Sequence, residues 1–163
     1  QAAEVLSQMV GPATRAFGAH DPDVIELRIE LADVLFLGGD YRRAAPEFRR
    51  LAADLAERSG PDDSLVLRFR LMEANCHAAV GETSLALTQL GELLEDEKRF
   101  GVDEERILEL RRQIGLLELG SGDRAKAART LRELLPDLER RYGTSHLNVR
   151  KVREILDSLD GEL

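Results

Sequence analysis

A glycine-containing octet recurs four times along the chain at nearly constant spacing. It reads FGAHDPDV at residues 17–24, SGPDDSLV at 59–66, FGVDEERI at 100–107 and YGTSHLNV at 142–149. Successive octets start 42, 41 and 42 residues apart. Periods between about 20 and 50 residues are typical of repeat proteins, in which each repeat is one supersecondary unit that stacks on its neighbours. The chain is therefore predicted to consist of similar units arranged in series.

Each period carries the pattern of two helices joined by a short turn. Residues 23–37 have apolar side chains on two sides, which predicts a helix packed between neighbours. The segment that begins at Tyr41 has a single apolar stripe, which predicts a helix with one face in water. A glycine–acid pair stands at the turn between the two helices, where glycine supplies the positive φ that ends the first helix and the acid favours the start of the second. The pairs are Gly39-Asp40, Gly81-Glu82 and Gly122-Asp123.

The recurring octet is predicted to be the junction between the second helix of one unit and the first helix of the next. Its glycine stands where a helix must stop, and the polar residue that follows is a candidate N-cap for the next helix. The predicted stop residues are Gly18, Gly60, Gly101 and Gly143, and the predicted N-caps are Asp21, Asp62, Asp103 and Ser145.

Composition excludes several classes of function. The net charge of −8 argues against a surface that tracks nucleic-acid phosphates, which needs clustered Lys and Arg. No run approaches the 18 or so apolar residues of a membrane span, and the single cysteine, Cys76, cannot form an internal disulfide. A soluble chain in a reducing, cytoplasmic setting is the expectation. Because the chain begins at Gln1 and lacks an initiator methionine, we also expect it to be part of a longer protein.

Small residues recur at two points in each unit, counted from the turn glycine. The first small position lies seven residues before the turn glycine and is occupied by Ala32, Ala74 and Gly115. The second lies five residues after the glycine and is occupied by Ala44, Ala86 and Ala127. A bulky residue follows four positions later, at Phe48, Leu90 and Leu131. This pattern resembles the tetratricopeptide repeat (TPR), and the period resembles the variety of about 42 residues found in kinesin light chains and bacterial regulatory proteins, against about 34 for the basic repeat. The resemblance implies an all-α, right-handed solenoid of antiparallel helix pairs with about eight helices.

The repeat pattern divides residues 1–163 into five parts of one TPR-like domain. Residues 1–16 align with the second helix of an incomplete repeat, because Ala2, Leu6 and Met9 fall on the positions of Ala44, Phe48 and Leu51 one period later. The following parts are repeat 1 at 17–58, repeat 2 at 59–99, repeat 3 at 100–141 and a closing helix at 142–163.

The resemblance also implies a peptide-binding groove lined by the first helices of successive units. Spacings of three and four residues place the implied side chains on one face of each helix. Acidic residues gather at the amino-terminal end of this groove and Arg68 and Arg112 lie further along, so a bound segment is expected to have its basic part near the first unit. The implied groove residues are Glu26, Ile29, Glu30, Asp33, Phe36, Arg68, Met72, Asn75, Glu109, Arg112, Gln113 and Lys151, with Ile155 and Ser158 beside Lys151.

Catalytic, cofactor and metal sites have little support in the sequence, and none is predicted. The three histidines occur in different contexts, and Cys76 and His77 are adjacent on a helix, so that their side chains point about 100° apart. Core packing is the expected role of Cys76.

Three classes of function are open on the sequence. The first is a non-catalytic module that binds a peptide or protein segment, which the resemblance places in the regulatory part of a larger bacterial protein such as a Ser/Thr kinase or transcriptional regulator. The second is a structural or self-assembling element, with a weak homodimer through the amino-terminal helix. An enzyme is the third and the least supported.

Overall fold

The computed structural model describes residues 1–161, and in this range the chain forms eight α-helices and no strand. The prediction of an all-α fold of about eight helices is confirmed. Glu162 and Leu163, the end of the predicted closing segment, lie outside the described residues. The helices are α1 (Ala2–Phe17), α2 (Pro22–Leu37), α3 (Tyr41–Ser59), α4 (Ser64–Ala79), α5 (Thr83–Phe100), α6 (Glu104–Gly120), α7 (Arg124–Tyr142) and α8 (Leu147–Gly161).

The helices belong to two compact units, each with its own apolar core. Unit 1 comprises residues 1–89, in which α1 packs on α2, α2 on α3 and α3 on α4 around Phe48 and Phe69. Unit 2 starts at residue 90, and there α6 packs on α7 and α7 on α8 around Leu131 and Val152. In both units, helices that follow one another along the chain pack together, as expected of a repeat protein.

The small and bulky positions of the repeat pattern are all buried. Ala32, Ala44, Ala74, Ala86 and Ala127 are inaccessible to solvent, and Phe48, Leu90 and Leu131 are almost so. Gly115 is buried as well, and a Cβ atom added to it would lie 2.6 Å from Cδ2 of Leu131. The paired small residues thus permit the close helix crossing that the repeat pattern predicts.

The predicted junction glycines adopt the conformation expected of them. Gly18, Gly60, Gly101 and Gly143 have φ between 69° and 95°, as do Gly39, Gly81 and Gly122 at the turns within repeats. A residue with a side chain is strained at such angles, so glycine is required there. Helices α1, α3, α5 and α7 each end at the residue directly before one of the four junction glycines, as the sequence pattern predicts.

Two of the four predicted N-caps are wrong by one residue. Asp21 and Asp103 accept backbone N–H bonds at the starts of α2 and α6, but Asp63 rather than Asp62 caps α4, and His146 Nδ1 rather than Ser145 accepts from Asn148 N at α8. The reason is the length of the junction turn. In three junctions the N–H of the third residue after the glycine approaches the glycine carbonyl at 3.3–3.4 Å, so the cap is that third residue.

An arginine–aspartate pair joins the first and second helices at corresponding places in the two units. Arg28 Nη1 on α2 donates to Asp54 on α3 at 2.7 Å, and Arg111 Nη1 on α6 donates to Asp137 on α7 at 2.5 Å. Both pairs are 26 residues apart in sequence, and the guanidinium groups are largely buried. These pairs, which the sequence pattern did not indicate, fix each second helix against its first helix.

Candidate functional site

The predicted groove residues of unit 1 lie on α2 and α4, and one contact joins the two helices. Arg68 Nη2 lies 3.6 Å from Asp33 Oδ2, which pairs two of the residues expected to face a ligand. Asn75 is half-buried, and its side chain has no hydrogen-bond partner within residues 1–161. The carboxylates of Glu26 and Glu30, one turn apart on α2, are exposed and form no ion pair with any described residue.

The apolar members of the unit 1 set belong partly to its core. Ile29, Phe36 and Met72 are half-buried and pack against the core cluster. The Phe36 ring meets Tyr41 edge-on, with centroids 5.3 Å apart, and Phe48 at 6.2 Å. Their exposed parts remain available to a ligand, but their main contacts are structural. Among the predicted groove residues of unit 1, Glu26 and Glu30 are therefore the charged groups without an ion pair in the described chain.

In unit 2, three predicted groove residues form a cluster of their own on α6. Arg112 donates from Nε and Nη2 to the two carboxylate oxygens of Glu109 at 2.8 and 2.7 Å, and Gln113 Nε2 donates to the same carboxylate at 3.3 Å. The hydrogen bonds from Arg112 lower the pKa of Glu109, against the opposing effect of burial. Arg112, like Arg68, is thus ion-paired with an acidic residue of its own unit.

A cavity of about 400 Å³ lies beside α8 in unit 2. Its apolar wall is formed by Leu119, Ile155 and Leu159, and Lys151 and Arg124 bring positive charge to its lining, with Glu154 and Ser158 completing it. Glu109, Arg112 and Gln113 are not part of this lining. Concave, mostly apolar surfaces with a few polar groups are typical of binding sites.

Lys151 differs from the other two lysines of the chain. Lys98 Nζ pairs with Glu95 at 2.9 Å and Lys126 Nζ lies 3.3 Å from Glu118, whereas Lys151 forms no ion pair within the described residues. Lys151 thus brings an unpaired positive charge to the lining of this cavity, in a chain with 31 acidic residues.

A buried polar cluster at the end of α4 was not foreseen from the sequence. His77 Nδ1 lies 2.5 Å from Glu82 Oε2 and His77 Nε2 lies 3.6 Å from Glu73 Oε1. Glu73 Oε1 also accepts from Arg49 Nε at 2.8 Å and Gln89 Nε2 at 3.0 Å. Glu82 stands directly before α5, as expected of the glycine–acid pair, and its side chain also reaches His77 on α4. The spacing of these residues carries no signal, because the cluster draws on four different segments of unit 1.

Cys76, beside this cluster, is fully buried and unpaired. Burial, with a smaller effect of Glu73, raises the pKa of the thiol to about 11. Because the thiolate is the reactive form of cysteine, this residue is poorly suited to nucleophilic chemistry. Its predicted role in core packing is confirmed by its burial.

Neither metal-binding clusters nor membrane-spanning helices occur in the described part of the chain. Residues 1–161 contain no group of three or more His, Cys, Asp or Glu side chains arranged to hold a metal ion. None of the eight described helices combines the length and the apolar character that crossing a bilayer requires.

A helical-repeat protein is the class that these features define. Comparison with solved structures shows that the fold is TPR-like. A Podosopora anserina protein of kinesin-light-chain type with nearly identical TPR-like repeats matches with a TM-score of 0.78 at 16% identity, over 99% of this chain and 78% of its own length, as does a variant of that protein. BtubC (BKLC) from P. vanneervenii matches with a TM-score of 0.71 at 20% identity, over 98% of this chain and 65% of its own. No family model and no curated protein sequence matches. The resemblance inferred from the small residues is confirmed at the level of the fold.

Proposed function

We propose that this chain is a non-catalytic interaction module that binds a peptide or protein segment. TPR-like folds generally act as scaffolds that bind other proteins. The observation that carries the proposal is the cavity of unit 2, because Lys151, Ile155 and Ser158, the three residues that the repeat pattern selects on α8, all line it. An apolar wall beside an unpaired cation suits an apolar side chain next to a carboxylate.

The unpaired groove charges of unit 1 are negative, so they suit a positively charged group of a ligand. Glu26 and Glu30 attract a basic residue, whereas the expected contribution of Asp33 is reduced by its pairing with Arg68. The proposed ligands are therefore a segment with a basic group for unit 1 and a segment with an acidic group for the cavity of unit 2. Complementary charges of this kind act mainly on specificity and association rate.

We place this module in the regulatory part of a larger bacterial protein, such as a Ser/Thr protein kinase or a transcriptional regulator, in the cytoplasm. The resemblance to the repeat variety of such proteins supports this assignment. The net charge of −8 supports a protein partner over nucleic acid.

A structural role through self-association is the second candidate function. The observation that favours it is a row of exposed apolar side chains on α1, which includes Val5 and Met9. Apolar patches of this kind mark sites of association.

The peptide-binding proposal is tested by selecting binders from a displayed peptide library and measuring their affinity by calorimetry. Lys151→Glu reverses the charge at the cavity, and we expect it to weaken selected acidic binders by about tenfold or more. Lys98→Glu is the matched control, because Lys98 lies in the same unit but outside the cavity lining. Binders with equal affinity for both variants would place the site elsewhere, and a library without binders would count against the function itself.

A further inference from the structure

Helix α1 has two apolar stripes, and only one of them is covered. Ala3, Leu6 and Val10 pack against the core of unit 1. The second stripe, which we call the exposed stripe, is rotated by about 100° from the first. Val5 and Met9 in this stripe are 56% and 51% exposed, although both are large apolar residues. The exposed stripe consists of Ala2, Val5, Met9, Pro12 and Ala16 at spacings of three and four residues.

In the next second helix, α3, the residues equivalent to part of this stripe are buried. One period later, Ala44 and Leu51 on α3 replace Ala2 and Met9, and both are fully buried in the core of unit 1. At the position of Pro12, however, α3 carries Asp54, which is held by Arg28 of the first helix; α7 carries Asp137 in the same way. Pro12 can form no such pair. The exposed stripe is therefore uncharged and lacks the carboxylate by which this chain fixes a second helix to its first helix.

We propose that the exposed stripe packs against the exposed stripe of a second copy of this chain, with the two α1 helices antiparallel about a two-fold axis at Met9. Met9 then meets Met9 of the second copy, Val5 meets Pro12 of the second copy and Ala2 meets Ala16 of the second copy. An isologous contact of this kind requires a self-complementary surface. The stripe fulfils that requirement, because it has small residues at both ends and its largest residue near the centre.

Charge selects the antiparallel orientation. Glu4 near the start of α1 and Arg15 near its end lie on the same side of the exposed stripe. Glu4 already accepts from Arg43 at 2.9 Å, while Arg15 forms no ion pair within residues 1–161. The antiparallel arrangement brings Arg15 towards Glu4 of the second copy, whereas a parallel arrangement would place both Arg15 side chains at one end of the pair, far from both Glu4 side chains.

The contact is small, so the dimer is weak. A helix of 16 residues is about 24 Å long, and one helix pair buries less than the roughly 1,200 Å² at the lower limit of stable interfaces. The inference rests on the second candidate function, self-association through α1, and gives it a geometry; it concerns a different surface from the peptide site. Variants in the exposed stripe should leave peptide affinity unchanged, so failure of either proposal can be recognised separately.

The first test is sedimentation equilibrium from about 10 μM to about 1 mM, the range of weak association. We expect the mean mass of the parent to rise from 18.2 kDa towards twice that value, and the variant Val5→Glu with Met9→Glu to remain at 18.2 kDa with an unchanged circular dichroism spectrum. Leu37→Glu is the control, because Leu37 is 83% exposed but lies on α2 outside the stripe. It should associate like the parent.

The second test fixes the geometry by disulfide crosslinking with a mild copper oxidant. Met9→Cys should crosslink to itself, and Ala2→Cys mixed with Ala16→Cys should give a mixed dimer, whereas Ala2→Cys alone should remain monomeric. The native Cys76 does not interfere, because it is buried. Self-crosslinking of Ala2→Cys would show a parallel pair and overturn the proposed orientation. A chain that is monomeric throughout, or crosslinks no faster at Met9→Cys than at Leu37→Cys, would overturn the second copy as the occupant and leave the stripe to another segment or protein.

Discussion

At the scale of the residue, Asp137 shows how a single side chain depends on its partners. It accepts from Arg111 Nη1 at 2.5 Å and from Arg140 Nη2 at 2.8 Å. The hydrogen bond from Arg111 is the main cause that lowers the pKa of this carboxyl in the folded chain, and Arg140 adds to it. A carboxyl whose pKa is lowered by folding contributes stability above its unfolded pKa of about 3.9, and this contribution is lost as the pH falls through the folded pKa.

We therefore predict that Asp137→Asn lowers the free energy of unfolding by about 1 kcal/mol at pH 7, because the charge-assisted hydrogen bonds are lost. The difference from the parent should shrink as the pH falls below about 4, where the unfolded parent takes up a proton at this carboxyl, and should be lost once the pH passes the lowered pKa of the folded state. Urea unfolding at several pH values measures both effects. Asp157→Asn is the control, since Asp157 is exposed in the same unit and has no ion pair in the described chain. A difference that stays constant down to about pH 2 would contradict the prediction.

At the scale of the element, the period of the sequence determines the helices because each boundary needs a particular backbone conformation. A φ near +90° demands glycine, so the positions of Gly18, Gly60 and Gly143 locate the helix ends in the sequence. An N-cap is less well defined: Asp62 and Asp63 have the same chemistry, and only the length of the turn decides between them. The helix crossings were predictable for the same reason as the ends, because small residues recur where two backbones approach.

Gly115 and Gly91 give a matched test of such a crossing. A Cβ at Gly115 on α6 would meet Cδ2 and Cγ of the buried Leu131 at 2.6 and 2.9 Å, whereas a Cβ at Gly91 on α5 would meet nothing within 4 Å. We predict that Gly91→Ala raises the free energy of unfolding by up to about 1 kcal/mol through helix propensity. Gly115→Ala should lower it by about 1 kcal/mol, because overpacking outweighs the same gain. Equal stabilisation by both, measured by denaturant unfolding, would show that the crossing is not close.

At the scale of the whole molecule, the candidate site was less accessible to sequence reasoning than the fold. The resemblance to TPR proteins implied the face of α8 that carries Lys151, and helix periodicity places Ile155 and Ser158 on the same face. It could not show that Arg68 and Arg112 are engaged by Asp33 and Glu109, because ion pairing depends on rotamers and on distances between helices. The pairs Arg28–Asp54 and Arg111–Asp137 were also missed. Each of their residues is one of many charges, and only the shared separation of 26 residues marks them as related.

Repeat proteins keep their contacts between neighbouring helices, so damage should remain local. We predict that Arg28→Met, which leaves Asp54 without its buried partner, increases amide hydrogen exchange in α2 and α3 by about tenfold but leaves α6 and α7 unchanged. Arg111→Met should produce the reverse pattern. Exchange followed by mass spectrometry resolves the helices, and a uniform increase along the chain in either variant would contradict local stability.

The placement of these arginine–aspartate pairs also bears on how such a chain can evolve. Each pair lies within one first helix and the second helix that follows it, so both charges fall inside a single period of the gene. A duplication or deletion of one whole period therefore adds or removes an arginine and its aspartate together. The number of repeats can therefore change by recombination without leaving a buried guanidinium unpaired. The contacts disturbed by gaining or losing a repeat are then those at the two ends of that repeat.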